Sequence, residues 1–326
     1  MALFHSRRPL LRGALLAAGV GLAAGSLNWW GHRIPPPTSS DIDQVWVAAR
    51  ALLDGHNPFD AVVDARRESP IGYSLYYALY YPLPAVLLLV PLAGLPLELA
   101  RAVWAGLGAA LFTAAGLRYG RGLLVALLSA CFLNTVLQGQ WSTYLTAAAV
   151  LPWLGFVWAG KPSISAALFV GFPSRQAIIG GVLLVALSVL LRPSWPGEWL
   201  SAIRNAALLP LVARPGGVLL LLALLRWRLP EGRLLAALAC VPQSLGLYES
   251  LPLFLIPRSR WQGYLLAILS YAAAFWAVLL YPQPQGQPIE AVNSYRWPVL
   301  FVCLYGPALL MVLLRRDPSA RNTQPT

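Results

Sequence analysis

The run GALLAAGVGLAAGSLNWW, residues 13–30, decides the fold, because an apolar stretch of about twenty residues is the length that crosses a bilayer as an α-helix. The run ends at Asn28 and at the aromatic pair Trp29 and Trp30, which is typical of a span that reaches the membrane interface. The basic residues before it, with Ala23-Ala24-Gly25 as a cleavage region, also resemble a signal peptide, but the apolar run is longer than a usual signal core. We therefore expect a retained first membrane span.

The rest of the chain repeats this composition. Of its 326 residues, 58% are hydrophobic and 11% are charged, against roughly 25% charged residues in soluble domains, and this balance excludes a soluble enzyme. The further apolar blocks cover residues 82–97, 102–117, 122–137, 142–159, 163–172, 176–191, 206–225, 234–241, 245–256, 263–280 and 297–314. Several blocks are too short to cross upright, and broken helices at membrane depth must line protein or a cavity, so we expect about ten to twelve spans or half-spans.

These blocks predict an all-α, polytopic membrane helical bundle that forms one domain over residues 1–314. Residues 31–80 are the only long hydrophilic stretch and are predicted to be a first extracytoplasmic loop. Residues 315–326 are polar and unpatterned and are predicted to be a disordered cytoplasmic tail. The cysteines lie far apart inside apolar blocks and without CxxC spacing, so we expect small core residues rather than a zinc site or a disulfide framework.

The formal net charge of +12 comes from 24 basic residues, of which only Lys161 is a lysine. These residues are scattered between apolar blocks, so nucleic acid is not an expected partner. Because cytoplasmic loops carry an excess of Lys and Arg, the distribution favours both termini in the cytoplasm. We expect an integral protein of the bacterial plasma membrane. Alternating the sides of the blocks places on the cytoplasmic side Arg7, Arg8, Arg12, Arg101, Arg175, Arg226, Arg228, Arg233, Arg258, Arg260, Arg315, Arg316 and Arg321.

The first loop contains one clear helical pattern. Ser39 and Ser40 can cap a helix over residues 41–54, which Gly55 would end. Its apolar residues recur at i, i+3 and i+4 spacing and are Ile42, Val45, Trp46, Ala49 and Leu53. Such a helix is amphipathic and is predicted to lie on the membrane surface.

The two acids at the start of this helix have different predicted environments. Asp43 and Arg50 lie opposite the apolar stripe, whereas Asp41 lies nearer to it, where its carboxylate can point down between spans. An alternative interpretation is that Asp41 only complements the helix dipole and that Asp43 pairs with solvent or with Arg50.

The loop is also rich in amides and tyrosines, and Asn57, Tyr73 and Tyr81 are candidate substrate contacts together with Arg50. Carboxylates combined with aromatic platforms suit sugar recognition. An interfacial aromatic belt explains the tyrosines between residues 73 and 81 equally well, so the tyrosines alone do not decide between the two.

The stretches SDIDQVWVAARALLDGHNPFD, residues 40–60, and YYPLPAVLLLVPLAGLPLELARAVW, residues 80–104, resemble the polyprenol-phosphate-sugar-dependent glycosyltransferases of family 87, which are mannosyltransferase-like. Phe59 stands where that family usually has Tyr, and Leu83 separates two prolines that are usually adjacent. Gly139-Gln140 and Lys161-Pro162 also resemble family positions. The resemblance covers roughly the first half of the chain, and the second half matches in hydropathy and in a proline-aromatic stretch at residues 242–248.

The resemblance implies a type C membrane bundle with a surface helix in its first loop. It implies inverting transfer of a sugar from a polyprenyl-phosphate donor to a lipid or glycan acceptor on the extracytoplasmic face. Mannose is the first candidate for that sugar. Asp41 matches the family's catalytic Asp and would be the general base, with Asp43 as the reserve.

Such chemistry also needs cations or donors at the leaving phosphate. Lys161, Arg192 and Arg204 are candidates, and each could instead be a snorkelling anchor at the head-group level. Tyr248 and Glu249 are candidate substrate contacts, because an isolated carboxylate in a weakly apolar region is costly unless it is paired or in a cavity.

Three further points stay open in the sequence. A divalent cation could bridge a carboxylate and the phosphate, but no cluster of three ligands demands a metal. Gln138 and Gln140 are placed by the alternation on the cytoplasmic side, away from the predicted site. A membrane transporter and a non-catalytic subunit of a membrane assembly are the alternative functions, because broken helices and polar residues near the midplane also bind transported substrates.

Overall fold

The computed structural model describes residues 7–33, 40–68, 78–204, 206, 208–276 and 289–315, and within them the chain is helical without a β-strand. The α-helices are α1 (Arg7–Gly31), α2 (Ile42–Leu53), α3 (Pro58–Glu68), α4 (Leu83–Ala93), α5 (Leu97–Tyr119), α6 (Arg121–Leu124), α7 (Ala130–Leu137), α8 (Ser142–Ala148), α9 (Pro162–Gly171), α10 (Arg175–Leu191), α11 (Trp195–Ile203), α12 (Pro230–Cys240), α13 (Arg260–Phe275), α14 (Ile289–Leu300) and α15 (Gly306–Leu313). Segments of 3-10 helix cover Val125–Leu128, Pro152–Gly160, Leu211–Ala213, Gly217–Arg226 and Leu247–Leu255, and a π-helical segment, Phe301–Tyr305, joins α14 to α15.

Three of the described helices are long and apolar enough to cross a membrane, namely Leu11–Gly31, Leu97–Tyr119 and Asn293–Leu313. Helices α10 and α11 would make a fourth span if they are taken together, although the chain bends by 103° between them. The structure therefore agrees with an α-helical integral membrane protein. The other apolar blocks form short helices and 3-10 segments, as the interrupted hydropathy predicts.

Helices α1 and α5 pack antiparallel along much of their length. A Cβ placed on Gly21 would lie 2.8 Å from the carbonyl oxygen of Gly106, and one placed on Gly25 would lie 2.9 Å from that of Ala102. Small residues at such a contact let two helix backbones approach closely, which is typical of helix pairs in membranes. The pairing brings the C-terminal end of α1 beside the N-terminal end of α5.

Helix α4, which precedes α5, does not cross the bundle, because both of its ends meet α2. The backbone N–H of Tyr80 donates to Gln44 Oε1 at 3.4 Å, and the indole N–H of Trp46 donates to the carbonyl of Leu95 at 3.2 Å. The 11 residues of α4 reach only about 16 Å, and Pro91 lies inside it. The predicted span over residues 82–97 is therefore wrong, and Arg101 lies at the same end of the bundle as Asp43 rather than on the opposite side.

Residues 142–159 also fold back instead of crossing. Helix α8 and the segment Pro152–Gly160 form a helical hairpin in which the indole of Trp158 donates to the carbonyl of Leu145 at 3.0 Å. Lys161, which follows the hairpin, donates to Gln140 Oε1 just before it at 3.4 Å. Gln138 and Gln140 consequently lie at the end of the bundle that carries Asp41, which corrects their predicted placement.

The opposite end of the bundle is closed by a second set of contacts. The Tyr119 hydroxyl donates to the carbonyl of Leu255 at 2.9 Å, and Arg315 pairs with buried Glu231 at 2.6 Å and donates to the carbonyl of Ile256. Arg315 is thus an ordered, buried part of the bundle, although the sequence suggested that the tail begins there. Residues 316–326 lie outside the described residues.

A row of aromatic rings runs through the core from the Asp41 end. Tyr81 contacts Trp141, Trp141 contacts Trp104, and Trp104 stacks on Tyr144, with ring centroids 5.8, 4.7 and 4.1 Å apart. All four side chains are buried. Aromatic pairs of this geometry stabilise a core beyond the area that they bury, and this row fixes the ring of Tyr81. Among the cysteines only Cys131 is buried as predicted, since Cys240 is exposed and Cys303 is partly exposed.

Candidate functional site

The site begins at the first turn of α2. The helix covers Ile42–Leu53, close to the predicted bounds, and Gly55 follows it with a φ of +75°. Its predicted stripe is buried at Ile42, Val45 and Ala49, whereas Leu53 is exposed. Asp41, the residue before the helix, is half-buried, already has helical dihedral angles, and lines a cavity.

The turn that carries Asp41 is docked on the link between α7 and α8. The hydroxyl of Ser40 donates to the carbonyl of Gln138 at 2.7 Å, and the backbone N–H of Asp41 donates to the same carbonyl at 3.2 Å. Gly139, with a φ of +58°, approaches so closely that a Cβ there would lie 2.4 Å from Ser40 Oγ. Ser40 therefore does not cap α2 with its side chain as predicted, because its hydroxyl is used for this tertiary contact. Ser39 lies outside the described residues.

Asp43 faces inward, which corrects the prediction that it lies opposite the apolar stripe and pairs with solvent or Arg50. Arg101 Nε donates to Asp43 Oδ1 at 2.6 Å and Arg101 Nη2 to Oδ2 at 2.5 Å. The backbone N–H of Ser40 also donates to Oδ2, at 3.1 Å. Burial raises the pKa of Asp43, and the bonds from Arg101 oppose that rise. Both carboxylate oxygens are therefore occupied by groups of the protein.

Asp41 opens onto a cavity of about 800 Å³ that collects much of the predicted site. The predicted residues that line it are Asp41, Tyr81, Lys161, Arg204, Tyr248 and Glu249. Other polar and aromatic lining residues are Gln44, Tyr80, Asn134, Gln138, Ser163, Trp199, Ser244 and Arg296. Residues as far apart in sequence as Asp41 and Leu300 therefore line one cavity, which combines polar groups with apolar walls.

Lys161 occupies a central position among these groups. Its ammonium nitrogen lies 5.8 Å from the centre of the Tyr81 ring and 4.8 Å from that of the Tyr248 ring, which is within the range of cation–π attraction. The Tyr81 hydroxyl is 3.4 Å from Asp41 Oδ2, and Tyr248 precedes Glu249 in the chain. Asp41, Tyr81, Lys161 and Tyr248 are thus connected by successive contacts, and Glu249 lines the same cavity.

Glu249 lies on the wall formed by residues 242–249, which is held by several polar contacts. The backbone N–H of Tyr248 donates to Asn134 Oδ1 at 3.2 Å, and the hydroxyls of Ser244 and Tyr248 are 2.9 Å apart. Leu245 has a φ of +58°, a conformation that is uncommon for a bulky residue. Such backbone strain persists only where the surrounding structure determines it, so this wall is a fixed element of the cavity.

Four predicted contacts do not line the cavity. Arg50 is exposed and lies over the Trp46 ring at 5.2 Å, and Asn57 donates to Asp60 Oδ2 at 2.7 Å. Arg192 forms a bidentate pair with Glu198, at 2.8 and 2.6 Å. Asp43 is enclosed as described. Tyr73 lies outside the described residues.

Arg296 and Trp199 line the cavity but were not among the predicted site residues. Trp199 donates its indole N–H to the carbonyl of Tyr80 at 2.9 Å and so joins α11 to the entry of α4. Arg296 lies on α14, one residue before the buried ring of Trp297. Its position just before the apolar block that starts at Trp297 was a usable signal, because charged residues within a span face a bundle interior or a cavity.

A separate apolar groove of about 570 Å³ lies next to the cavity, and both are lined by Pro162. Its other lining residues are mostly small or aliphatic and are Gly155, Trp158, Ala159, Ser165, Ala166, Phe169, Ala177, Ile178, Gly181, Val182, Val185 and Ala186. The groove runs between α9, α10 and the segment Pro152–Gly160. Long hydrocarbon chains fit such a surface, because every lining side chain except Ser165 is apolar.

No group of three His, Cys, Asp or Glu side chains that could hold a metal ion occurs within the part of the chain that the structure describes. Asp41 and Glu249 are the acidic residues of the cavity lining. A bridging cation would therefore depend on these two carboxylates and on oxygens of the substrate.

Comparisons with protein-family models, curated proteins and solved structures found no match to this chain.

Proposed function

We propose that this protein is a membrane glycosyltransferase of the bacterial cell envelope. It transfers a sugar from a polyprenyl phosphate to a hydroxyl group of a lipid or glycan acceptor. Mannose is the leading candidate for this sugar on the ground of the family resemblance. In this proposal the chain is a polytopic type C bundle, α2 is its surface helix, and the cavity opens on the extracytoplasmic face. The observation that carries the proposal is the cavity in which Asp41 and Lys161 meet beside an apolar groove.

Asp41 is the general base of the proposed reaction. Its carboxylate lines the cavity and accepts a long hydrogen bond, of 3.4 Å, from the Tyr81 hydroxyl. Asp43 is unsuitable, because Arg101 and Ser40 use both of its oxygens. A base must reach the proton that it removes, and only Asp41 of these two can meet a substrate hydroxyl without breaking an ion pair.

The reaction is a single displacement that inverts the anomeric centre. The acceptor oxygen forms a bond to the anomeric carbon, its proton passes to Asp41, and the bond from that carbon to the phosphate oxygen breaks. The leaving polyprenyl phosphate keeps the electron pair of that bond. The transition state is oxocarbenium-like, as in other glycosyl transfers.

Lys161, Arg204 and Arg296 supply positive charge for the leaving phosphate. Charge-assisted hydrogen bonds to phosphate are among the strongest in proteins, and a cation placed where charge develops stabilises the transition state. The rings of Tyr81 and Tyr248 hold the Lys161 ammonium in the cavity that Asp41 and Glu249 also line. The isoprenoid tail of the donor occupies the apolar groove, which meets the cavity at Pro162.

The direct test is transfer by the purified protein in lipid nanodiscs, with a panel of polyprenyl-phosphate sugars and a detergent-soluble acceptor. We expect the release of polyprenyl phosphate and a product of inverted anomeric configuration by NMR. Asp41→Asn should lower the rate by about 100-fold or more, the range lost with a general base. The matched control is Asp54→Asn, an exposed acid at the far end of the same helix, which should keep the rate within twofold.

The proposal is overturned if no donor in the panel is consumed, or if Asp41→Asn transfers sugar as fast as the unaltered chain. A specific observation favours a transporter as the second candidate, because α10 and α11 form a broken helix and α11 contributes Trp199 to the cavity. Movement of the donor lipid across proteoliposomes, without its consumption, would support that candidate. Binding of a partner protein without either activity would support a non-catalytic subunit.

A further inference from the structure

The ion pair between Asp43 and Arg101 is unusual in its burial. The two side chains are 2% and 11% exposed, and they meet through two hydrogen bonds of 2.6 and 2.5 Å. Removing two charges from water costs about as much as their attraction returns, so a buried pair of this kind is weak evidence for stability and suggests another role. Its location next to the turn of Asp41 indicates what that role is.

The pair is connected to Asp41 through the backbone of the same turn. Asp43 Oδ2 accepts from the backbone N–H of Ser40, and the backbone N–H of Asp43 donates to the carbonyl of Ser40 at 3.0 Å. The turn of residues 40–43 is therefore closed from both sides. Asp41 lies inside it, so the backbone that carries its carboxylate cannot shift without opening bonds that Asp43 makes.

Arg101 is held in turn by the helix pair below it. It lies in the first turns of α5, next to Ala102, whose carbonyl contacts Gly25 of α1 at the position where no Cβ would fit. The pair thus joins the turn of Asp41 to a close contact between α1 and α5. Lys161 is held by contacts that involve neither Asp43 nor Arg101, namely the rings of Tyr81 and Tyr248 and the side-chain oxygen of Gln140.

We infer that Asp43 and Arg101 are a positioning pair, which aligns the Asp41 carboxylate with the acceptor hydroxyl without touching a substrate. This inference rests on the proposed transferase function. A general base that is displaced by about 1 Å loses much of its rate, whereas a donor phosphate that is bound by Lys161, Arg204 and Arg296 does not depend on that alignment.

The test measures both steps in the full-length protein in nanodiscs. For Asp43→Asn we expect kcat to fall by about 100-fold, while the Kd for polyprenyl phosphate stays within twofold. Arg101→Lys keeps the charge and one of the two hydrogen bonds, so we expect it to lose only about tenfold. Glu98→Gln, which alters an exposed acid in the first turn of α5, is the matched control and should leave kcat unchanged.

Rates are normalised to the monodisperse fraction in gel filtration, so that a loss of folded protein is not counted as a loss of turnover. Equal kcat values for the unaltered chain, Asp43→Asn and Arg101→Lys would overturn the inference and leave the proposed function intact. A parallel loss of kcat and of phosphate binding in both variants would also overturn it, since it would indicate a general structural role. Absence of transfer by the unaltered chain would overturn the proposed function itself.

Discussion

Replacing Gly139 by Ala tests the contact that holds the Asp41 turn. Gly139 has a φ of +58°, which is the left-handed region, and its added Cβ would lie 2.4 Å from Ser40 Oγ and 3.1 Å from Ile42 Cγ2. Carbon atoms in contact normally lie about 3.5–4.0 Å apart, so the Ser40 hydroxyl must rotate away or the turn must move by roughly 1 Å. That movement breaks the 2.7 Å bond from Ser40 to the carbonyl of Gln138.

The size of the effect follows from two contributions to stability and one to catalysis. A left-handed conformation costs about 1–2 kcal/mol for a residue with a Cβ, and a lost hydrogen bond costs about 0.5–1.5 kcal/mol. We therefore expect the free energy of unfolding to fall by about 2–3 kcal/mol. A displacement of roughly 1 Å at a catalytic group can cost about 100-fold in rate, so kcat should fall by one to two orders of magnitude.

The matched control is Gly55→Ala. Gly55 also has a positive φ, of +75°, but no atom lies within 4 Å of the position of its Cβ. This variant carries the backbone strain without the collision, so it should lose about 1–2 kcal/mol of stability and keep its kcat. The measurements are thermal unfolding in nanodiscs and sugar transfer per folded molecule. Equal kcat values for Gly139→Ala and Gly55→Ala would refute the reasoning.

Three further outcomes are expected. Acylation of Lys161, the only lysine, should be slowed by polyprenyl phosphate but not by polyprenol, as measured by mass spectrometry of the labelled peptide. Equal acylation rates with the two lipids would argue against a phosphate at this side chain. Under the proposed function, Glu249→Gln should lower transfer by about 10- to 100-fold, because a charge-assisted hydrogen bond to a substrate hydroxyl is worth about 1.5–3 kcal/mol, and an unchanged rate would exclude that contact. Gly21→Val should destabilise the protein by about 1–3 kcal/mol in thermal unfolding, because its Cβ meets a backbone oxygen of α5. The control is Gly19→Val on the same helix, where the added Cβ meets no atom within 4 Å. Equal stabilities of the two variants would contradict the close contact between α1 and α5.

Much of the helical content could be predicted from the sequence, but the path of the chain could not. The bounds of α2 and the role of Gly55 follow from local periodicity and turn chemistry, and both are confirmed. Hydropathy, by contrast, reports only that a segment avoids water. Helix α4 avoids water by packing on α2, so residues 82–97 have the composition of a span without crossing the bundle.

The same limit explains the outcome for the two acids of the first loop. A helical wheel assumes one buried face, and it was adequate for Asp41. Helix α2 is covered by α4 and also reached by Arg101 of α5, so Asp43 is buried on the face that the wheel assigned to solvent. A side chain that arrives from 58 positions away leaves no trace in the local pattern.

The identities of the cavity residues were easier to predict than their partners. Lys161 and Glu249 were chosen because a charge in an apolar region needs a reason, and both line the cavity. Arg192 is also a charge in an apolar region, but it pairs with Glu198, only six positions later in the chain. Sequence alone could not distinguish a charge that is neutralised nearby from one that faces a substrate.

Helix α4 and residues 142–159 both return to the end of the bundle where they start. As a result, Asp41, Glu249 and Lys161 all lie on one side of the bundle. Under the proposed function, each reactant must therefore reach the enzyme from the same leaflet. A donor that is made on the other leaflet would be useless until a separate flippase had turned it over, and the supply of such inverted lipid, rather than turnover by this chain, would then limit how much sugar is added.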